Sequence, residues 1–187
     1  SMANGRRYAP SYDASMDAYL EQLDTHGIAR GVLVQPSFLG VDNSYLLRGI
    51  AQHAHRLRGV AVVDPTMAET ELAALRRQGI AGVRLNLIGQ ATPDFGDPVQ
   101  STFLARLARV GLFAEVQVEA RRLAAVAEGI LGANVRLVVD HFGRPDAALG
   151  VDDPGFRYLL SLGPKGRTWV KLSGAYRLAP GQRGQDI

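Results

Sequence analysis

The sequence predicts an α/β protein in which parallel strands alternate with helices. Six short apolar runs, rich in β-branched residues, recur along the 187 residues. They are spaced about 25–30 residues apart, which is the length of a strand together with its crossover helix. Alternation repeated this often is typical of a parallel sheet covered by helices. No low-complexity linker interrupts the series, so we expect one domain over residues 1–187.

Each predicted element has local support in the sequence. The strands, taken from the apolar runs, are 31–35, 59–64, 82–87, 112–118, 135–141 and 168–173. Amphipathic segments between them predict the helices, of which the second covers 43–56. Ser15 and Asn43 are predicted to cap the first and second helices. The fifth helix is predicted to begin near Glu119, and Pro154 is predicted in the first turn of the sixth helix. Glycines typical of helix ends are Gly27, Gly79 and Gly111.

An open doubly wound sheet and a closed barrel both fit this alternation, and two observations favour the barrel. Neither GxGxxG nor GxxxxGK[ST] follows a predicted strand. Several strands also alternate apolar with large polar side chains, which a sheet covered by helices on both faces does not do. In 168–173, for example, Val170 and Leu172 oppose Trp169 and Lys171. We therefore expect a (β/α)8 TIM barrel, with about six of its eight βα units in this chain.

The barrel prediction assigns a role to each strand face. The apolar faces are expected to meet the helices, and the polar faces to converge on the barrel interior. Charges buried there must pair. We expect Glu115 to pair with Arg84 or Lys171.

The composition excludes several classes of protein. With 47% hydrophobic and 21% charged residues, the chain matches an ordinary globular protein and not a disordered, coiled-coil or collagen-like one. The absence of cysteine excludes disulfides, zinc fingers and thiol nucleophiles. The first residues lack the apolar segment of a signal peptide, so we expect a cytoplasmic protein that does not bind membranes. The net charge of +3 comes from arginines scattered beside acidic residues, and no nucleic-acid partner is expected.

Polar residues cluster at the carboxyl ends of the predicted strands, where the active site of such a barrel lies. They are Gln35, Ser37, Asp64, Arg84, Asn86, Gln117, His141, Ser173, Tyr176 and Arg177. His141 ends the apolar run LVVDH and is the candidate catalytic residue; the alternative is a structural imidazole bonded to Asp140. Arg84 and Arg177 indicate an anionic substrate, because a guanidinium binds a carboxylate in a bidentate fork. The alternative for each arginine is an internal ion pair.

The sequence supports neither metal chelation by a histidine pair nor a serine nucleophile. His53 and His55 form an HxH pair, but they are predicted at the end of a helix, where residues two apart face nearly opposite ways. We therefore do not expect them to chelate a metal. The nucleophile elbow GxSxG is missing, which argues against a Ser-His-Asp hydrolase.

Six segments together resemble the amidohydrolase superfamily, in particular its branch of 2-pyrone-4,6-dicarboxylate lactonases and related sugar lactonases. These segments are GRRYAP, LVQPSFLGVDN, GVAVVDP, GVRLN, VVDHFGRPD and VKLSGAYR. The resemblance extends over residues 5–178, and DHFGRPD followed by WVKLSGAYR is its most specific part. It implies the (β/α)8 barrel that the alternation also favours.

The resemblance implies roles for individual residues. His141 matches the histidine that helps to polarise the lactone carbonyl. Arg84 and Arg177 match arginines that bind the substrate carboxylates, and Tyr8 and Ser37 match residues that hydrogen-bond the same groups.

Other positions depart from the family pattern. Gln117 occupies the strand end at which metal-dependent relatives have a histidine ligand, and we assign it to substrate binding. Since glutamine is a poor metal ligand, this departure favours the metal-independent branch with no cofactor. Gln90 replaces a basic residue of the dicarboxylate lactonases, which argues against pyrone dicarboxylate as the substrate.

The family's first strand with its HxH pair and its last strand with the aspartate base have no counterpart in this sequence. A general base contributes about 10²–10⁴-fold in rate, so the 187 residues alone are expected to be nearly inert. Open strand edges at 31–35 and 168–173 predict aggregation, or pairing with the missing segments or with another copy as a homo-oligomer.

Three functional hypotheses follow. The leading one is a hydrolase that opens a lactone of a small dicarboxylate or sugar acid by aspartate-activated water, without a metal. The second is a metal-dependent amidohydrolase or decarboxylase acting on a small aromatic or carboxylated compound. The third is a truncated, non-catalytic protein that binds carboxylates through Arg84 and Arg177.

Overall fold

A computed structural model describes residues 14–177, and parallel strands alternate with helices throughout them. The six strands of this range are β1 Gly31–Val34, β2 Leu57–Ala61, β3 Ile80–Asn86, β4 Phe113–Gln117, β5 Leu137–Val139 and β6 Thr168–Val170. Its six α-helices are α1 Met16–Thr25, α2 Ser44–Gln52, α3 Glu69–Arg77, α4 Pro98–Val110, α5 Ala120–Gly132 and α6 Pro154–Leu162. The alternation predicted from the sequence is confirmed. The chain divides into two compact units, Ser1–Arg84 and Leu85–Ile187.

In the first unit, β2 lies between β1 and β3, and both pairings are parallel. Helix α2 packs closely on this sheet at Gly59. A Cβ at Gly59 would lie 2.6 Å from Ile50 Cδ1 and 2.8 Å from Leu46 Cδ2, so only glycine fits without rearrangement. Leu57 and Val60 of β2 are fully buried in the same core.

In the second unit, β5 lies between β4 and β6, again with parallel pairing. Helices α5 and α6 pack against each other where Gly155 meets the backbone of Ala120. The core of this unit includes Leu123 and Ile130 of α5, both fully buried.

The helix ends match most of the capping predictions. The Ser15 hydroxyl accepts a hydrogen bond from the N–H of Ala18 at 3.2 Å. Pro154 is the first residue of α6, and Gly111 ends α4 with a left-handed backbone, φ +79°. Of the helices among residues 14–177, none is long and apolar enough to cross a membrane.

Asn43 precedes α2 as predicted, but its side chain does not cap the helix. Its Nδ2 donates instead to the carbonyl of Val62 at 2.8 Å, and its Oδ1 accepts from the N–H of Val62 at 3.1 Å. The side chain therefore joins the start of α2 to the segment after β2. The prediction of a side-chain cap was wrong because this partner is distant in sequence.

The second predicted helix is shorter than expected. Helix α2 ends at Gln52, and His53 and His55 lie in the turn before β2 instead of in the helix. The turn forms because β2 already begins at Leu57, which pairs with Gly31 and is fully buried.

The expected burial of the apolar face of β6 is also wrong among the described residues. Val170 is 37% exposed and Leu172 is 77% exposed. A crossover helix covers the strand that it follows, and the described residues after β6 form only the short 3-10 turn Ala175–Arg177.

Candidate active site

His141 is the second residue after β5, where β4 and the segment that follows β6 still support the backbone. The N–H of Asp140 donates to the carbonyl of Val116 at 2.9 Å, and that of Phe142 donates to the carbonyl of Lys171 at 3.1 Å. The chain then turns sharply, with φ of +53° at His141 and +55° at Phe142. Left-handed backbone costs a non-glycine residue about 1–3 kcal/mol, so surrounding contacts must hold this turn.

The imidazole of His141 rests on the segment that follows β6. Its Nδ1 lies 3.0 Å from the hydroxyl oxygen of Ser173 and 3.2 Å from the carbonyl oxygen of the same residue. Gly174 has φ +67°, and a Cβ there would lie 2.6 Å from His141 Nδ1. The absence of a side chain at Gly174 therefore leaves room for the ring. We call Ser173 and Gly174 the histidine cradle.

A lysine joins two buried carboxylates in the same unit. The Nζ of Lys171 lies 2.7 Å from Asp140 Oδ1 and 3.2 Å from Glu115 Oε1. The side chains of Asp140 and Glu115 are 1% and 3% exposed, while that of Lys171 is 34% exposed. The predicted pairing of Glu115 with Lys171 is confirmed. Because Asp140 precedes His141, this ion cluster also anchors the strand end that presents the histidine.

Gln117 is the last residue of β4 and is buried, with 7% of its surface exposed. Its carbonyl accepts a hydrogen bond from the N–H of Leu87 at 2.9 Å. Gln117 and His141 thus lie at the carboxyl ends of two neighbouring strands, β4 and β5.

In the first unit, Ser37 begins a 3-10 turn after β1, in a loop that buried side chains hold in shape. Gln35, fully buried, donates from Nε2 to the carbonyls of Gly40 at 3.1 Å and Asp42 at 2.8 Å. Asn43 fixes the other end of the loop through Val62. The exposed Ser37 is therefore carried on a defined loop.

The remaining polar residues predicted for the site lie on different parts of the chain. Arg84 is half-buried near the carboxyl end of β3, and Arg177 ends the 3-10 turn after β6. Tyr8 lies outside the described residues. Hydrogen bonds from the hydroxyl and N–H of Thr66 hold the pKa of Asp64 below its usual value. Asp64 therefore stabilises the turn after β2.

The second unit also has a cleft between the starts of α5 and α6. Its lining includes Arg121, Arg144 and Tyr158, together with the α6 cap Asp153. Burial acts to raise the pKa of Asp153, but hydrogen bonds from the backbone N–H groups of Asp146 and Phe156 outweigh it and lower the pKa. The cleft lining contains none of the predicted site residues that the structure describes.

The described residues do not bring a metal-ligand set together. Within 14–177, no group of three His, Asp or Glu side chains is arranged to hold a metal ion. We derive no chemical step through a metal.

The site contains two residues whose roles sequence analysis did not identify. Ser173 is polar and lies at a predicted strand end, but no sequence pattern predicts its contact with His141. No sequence pattern marks Gly174 as part of the site. The sequence signal for both is the tetrapeptide KLSG beside the sixth strand, although nothing local in it points to the histidine.

Comparison with known proteins identifies the family. The amidohydrolase family model matches residues 2–186, so the chain belongs to this family of hydrolases. Among its relatives, 4-sulfomuconolactone hydrolase of Rhizobium radiobacter is 30% identical over 95% of this chain and 59% of its own length. The 2-pyrone-4,6-dicarboxylate hydrolase of Comamonas testosteroni is 32% identical over 93% of this chain and 57% of its own length.

A solved structure supports the same relationship. It is that of a probable 2-pyrone-4,6-dicarboxylic acid hydrolase from Acinetobacter baumannii with citric acid bound, which is 39% identical. The two align with a TM-score of 0.89 over 96% of this chain and 68% of that one. The predicted TIM-barrel class is thereby confirmed. The chain spans slightly less than three fifths of the length of the curated relatives.

Proposed function

We propose that the protein carrying this chain opens a lactone of a small carboxylated compound, a dicarboxylate or a sugar acid, without using a metal. The observation that carries the proposal is the imidazole of His141, held on Ser173 at the end of β5 in an amidohydrolase chain. The names of the relatives support lactones as the substrate class. Citric acid, bound in the Acinetobacter relative, is a tricarboxylic acid and supports carboxylated ligands.

The proposed reaction is hydrolysis of the ring ester. The oxygen of water forms a bond with the lactone carbonyl carbon, and the bond from that carbon to the ring oxygen breaks. One proton of the water passes through a general base to the departing ring oxygen. The family resemblance assigns the base to an aspartate on the eighth strand of the barrel. His141 donates a hydrogen bond to the carbonyl oxygen, where negative charge develops.

The remaining site residues are proposed to orient the substrate. Arg84 and Arg177 bind its carboxylates, Tyr8 and Ser37 hydrogen-bond the same groups, and Gln117 contacts the substrate from the end of β4. The defined loop around Ser37 supports this assignment, because an oriented substrate needs groups in fixed positions. Binding by the arginines is expected to lower KM more than it raises kcat.

The amide side chain of Gln117 is the basis for proposing that the reaction needs no metal. Gln117 ends β4, where metal-dependent relatives have a histidine ligand. An amide oxygen is a poorer ligand than imidazole for zinc and similar ions.

A panel of lactones tests the proposal on the complete protein. The panel contains a pyrone with two carboxylates, a muconolactone with a sulfonate, and a sugar-acid lactone, each assayed with and without a chelator. We expect at least one ring to open at the same rate, within about twofold, after chelation. If no lactone is opened and a chelator abolishes a different activity, a metal-dependent amidohydrolase replaces this proposal. Lactone binding without turnover would support a carboxylate-binding protein.

Substitution of an arginine tests carboxylate binding. Arg84→Met removes a charge-assisted bond of about 1.5–3 kcal/mol, so KM should rise by about 10- to 150-fold with kcat little changed. Arg157→Met is the matched control, because Arg157 forms an exposed ion pair with Asp152. An unchanged KM for Arg84→Met would remove Arg84 from the binding site.

A further inference from the structure

The chain between β3 and α4, residues 87–97, contains neither helix nor strand. It leaves the carboxyl end of β3, and in a TIM barrel the loops at the carboxyl ends of the strands form the active site. A segment without helix or sheet depends on contacts with neighbouring elements for a fixed conformation. We call residues 87–97 the β3 loop.

Arg122, in the first turn of α5, contacts the β3 loop at two positions. Its Nη1 donates to the carbonyl oxygen of Leu87 at 3.1 Å, and its Nε donates to the hydroxyl oxygen of Thr92 at 3.0 Å. The same Nη1 lies 2.9 Å from Oε2 of Glu119, the residue directly before α5. The side chain of Arg122 is 18% exposed, so water reaches only part of it. One guanidinium therefore joins the loop to the start of a neighbouring helix.

The first residue of the β3 loop is held on both sides. The N–H of Leu87 donates to the carbonyl of Gln117 at 2.9 Å, while the carbonyl of Leu87 accepts the hydrogen bond from Arg122. That carbonyl also accepts from the N–H of Gln90 at 3.1 Å, which closes a turn inside the loop. Arg122 therefore fixes the point at which the chain leaves β3, next to the strand end that carries Gln117.

Phe95 attaches the far part of the loop to the same helix. A Cβ at Gly129 would lie 2.6 Å from Cγ of Phe95, so the ring occupies the space beside Gly129. Gly129 follows Arg122 by seven residues, or about two turns of α-helix, so the two residues lie on one face of α5. The β3 loop therefore lies along this face, with Arg122 at the end of α5 that follows β4.

We propose that Arg122 is a positioning residue that holds the β3 loop in the conformation to which the substrate binds. In this role Arg122 acts through Leu87 and Thr92 and does not itself contact the substrate. The effect on catalysis rests on the proposed lactone hydrolysis, whereas the order of the loop is a property of the protein alone.

Four substitutions test this role. Arg122→Met removes all the hydrogen bonds of the guanidinium and keeps an unbranched side chain, whereas Arg122→Lys retains the charge and one donor group. Thr92→Val removes a single contact at an exposed position and tests the loop if Arg122→Met does not fold. Arg121→Met is the matched control, because Arg121 is the exposed neighbour of Arg122 and makes no hydrogen bond to the β3 loop, which the structure describes completely.

Amide hydrogen exchange of the complete protein, followed by mass spectrometry, measures the order of the loop. Peptides from residues 87–97 should exchange about 10-fold faster or more in Arg122→Met, because hydrogen bonds to a charged group are lost. Thr92→Val should show a smaller increase, and Arg121→Met should match the wild type. Unchanged exchange of the loop in a folded Arg122→Met, or in Thr92→Val where Arg122→Met does not fold, overturns the role of Arg122.

Kinetics on a lactone that the complete protein opens give the second measurement. A loop that is no longer held must be ordered by the substrate, so the cost appears in binding. KM should rise by about 10-fold or more in Arg122→Met with kcat within about threefold, and Arg122→Lys should recover part of the loss. Arg121→Met should leave both constants unchanged.

The two measurements distinguish the inference from the proposed function. A residue that contributes only to stability lowers the unfolding midpoint and leaves KM of the folded protein unchanged. Faster loop exchange with an unchanged KM therefore overturns the positioning role, even though lactones are opened. Faster loop exchange in a protein that opens no lactone supports the hold of Arg122 on the loop and counts against the proposed function.

Discussion

Replacing Lys171 by methionine would remove the ammonium group that lies between two buried carboxylates. Its Nζ is 2.7 Å from Asp140 Oδ1 and 3.2 Å from Glu115 Oε1. Methionine retains an unbranched side chain and deletes the charge. The carboxylates of Asp140 and Glu115, both almost fully buried, would then lack this counter-ion.

The geometry sets the size of the effect. At an effective dielectric constant of about 20, the two attractions amount to about 6 and 5 kcal/mol before the desolvation of the ions is subtracted. Removal of one member of a buried ion pair costs about 3–5 kcal/mol. Because Lys171 is 34% exposed, water screens part of the interaction, and we expect a loss of about 3 kcal/mol, at the lower end of the range.

Urea unfolding of the complete protein at neutral pH measures this loss. Lys165→Met is the matched control, because Lys165 is exposed and is the only other lysine in the 187 residues. Its effect should stay within about 0.5 kcal/mol. Adding Glu115→Gln and Asp140→Asn to Lys171→Met removes the buried charges and should restore much of the stability. A loss below about 0.5 kcal/mol for Lys171→Met, or no recovery in the triple variant, would refute the reasoning.

Three further predictions concern stability and association. Asp153→Ala should cost about 2 kcal/mol through loss of the α6 cap, whereas Asp152→Ala, in an exposed ion pair, should cost little. The pKa of Asp153 is lowered in the folded state, so the carboxylate contributes its full stabilisation above the unfolded pKa of about 4 and loses it as the pH falls through the folded pKa. The difference in unfolding free energy between the wild type and Asp153→Ala should therefore become smaller in acid. Urea titrations in which this difference stays constant would contradict the prediction. Gly155→Ala places a Cβ against the backbone carbonyl of Ala120 and should cost about 3 kcal/mol in thermal or urea unfolding. Gly132→Ala in α5, with open space around it, should instead stabilise the protein by about 0.4–1 kcal/mol. The 187-residue chain by itself should associate in ultracentrifugation through the exposed apolar face of β6, and a dilute monomer that unfolds cooperatively would contradict this.

The order of strands and helices was predictable because it depends on local patterns. Apolar runs located all six described strands, and Ser15 and Pro154 marked the starts of α1 and α6. Strand ends were less predictable, since 135–141 contains only Leu137–Val139 as β5. A strand ends where its neighbour no longer pairs, and that limit is set by another part of the chain.

The part of the site that could be predicted is the part in which a single charged residue in a strand requires a counter-ion. The charge of Glu115 in β4 required a partner inside the sheet, and Lys171, which directly follows β6, supplied it. The histidine cradle could not be predicted, because the contact of Ser173 with His141 depends on the left-handed turn after β5 and on a side-chain rotamer. The roles of Arg84, Arg177, Ser37, Tyr8 and Gln117, one domain over the whole chain and a cytoplasmic location stay predictions.

The most direct test of the account is the value of kcat/KM for ring opening by the complete protein and by its His141→Asn variant, measured on the same carboxylated lactone. Asparagine is polar and close in size to imidazole, and circular dichroism shows whether the fold is kept. We predict turnover by the wild type and a loss of about 10²–10³ in the variant, since His141 stabilises the developing oxyanion. A wild type that opens no lactone, or a folded variant with full activity, would contradict the central claim.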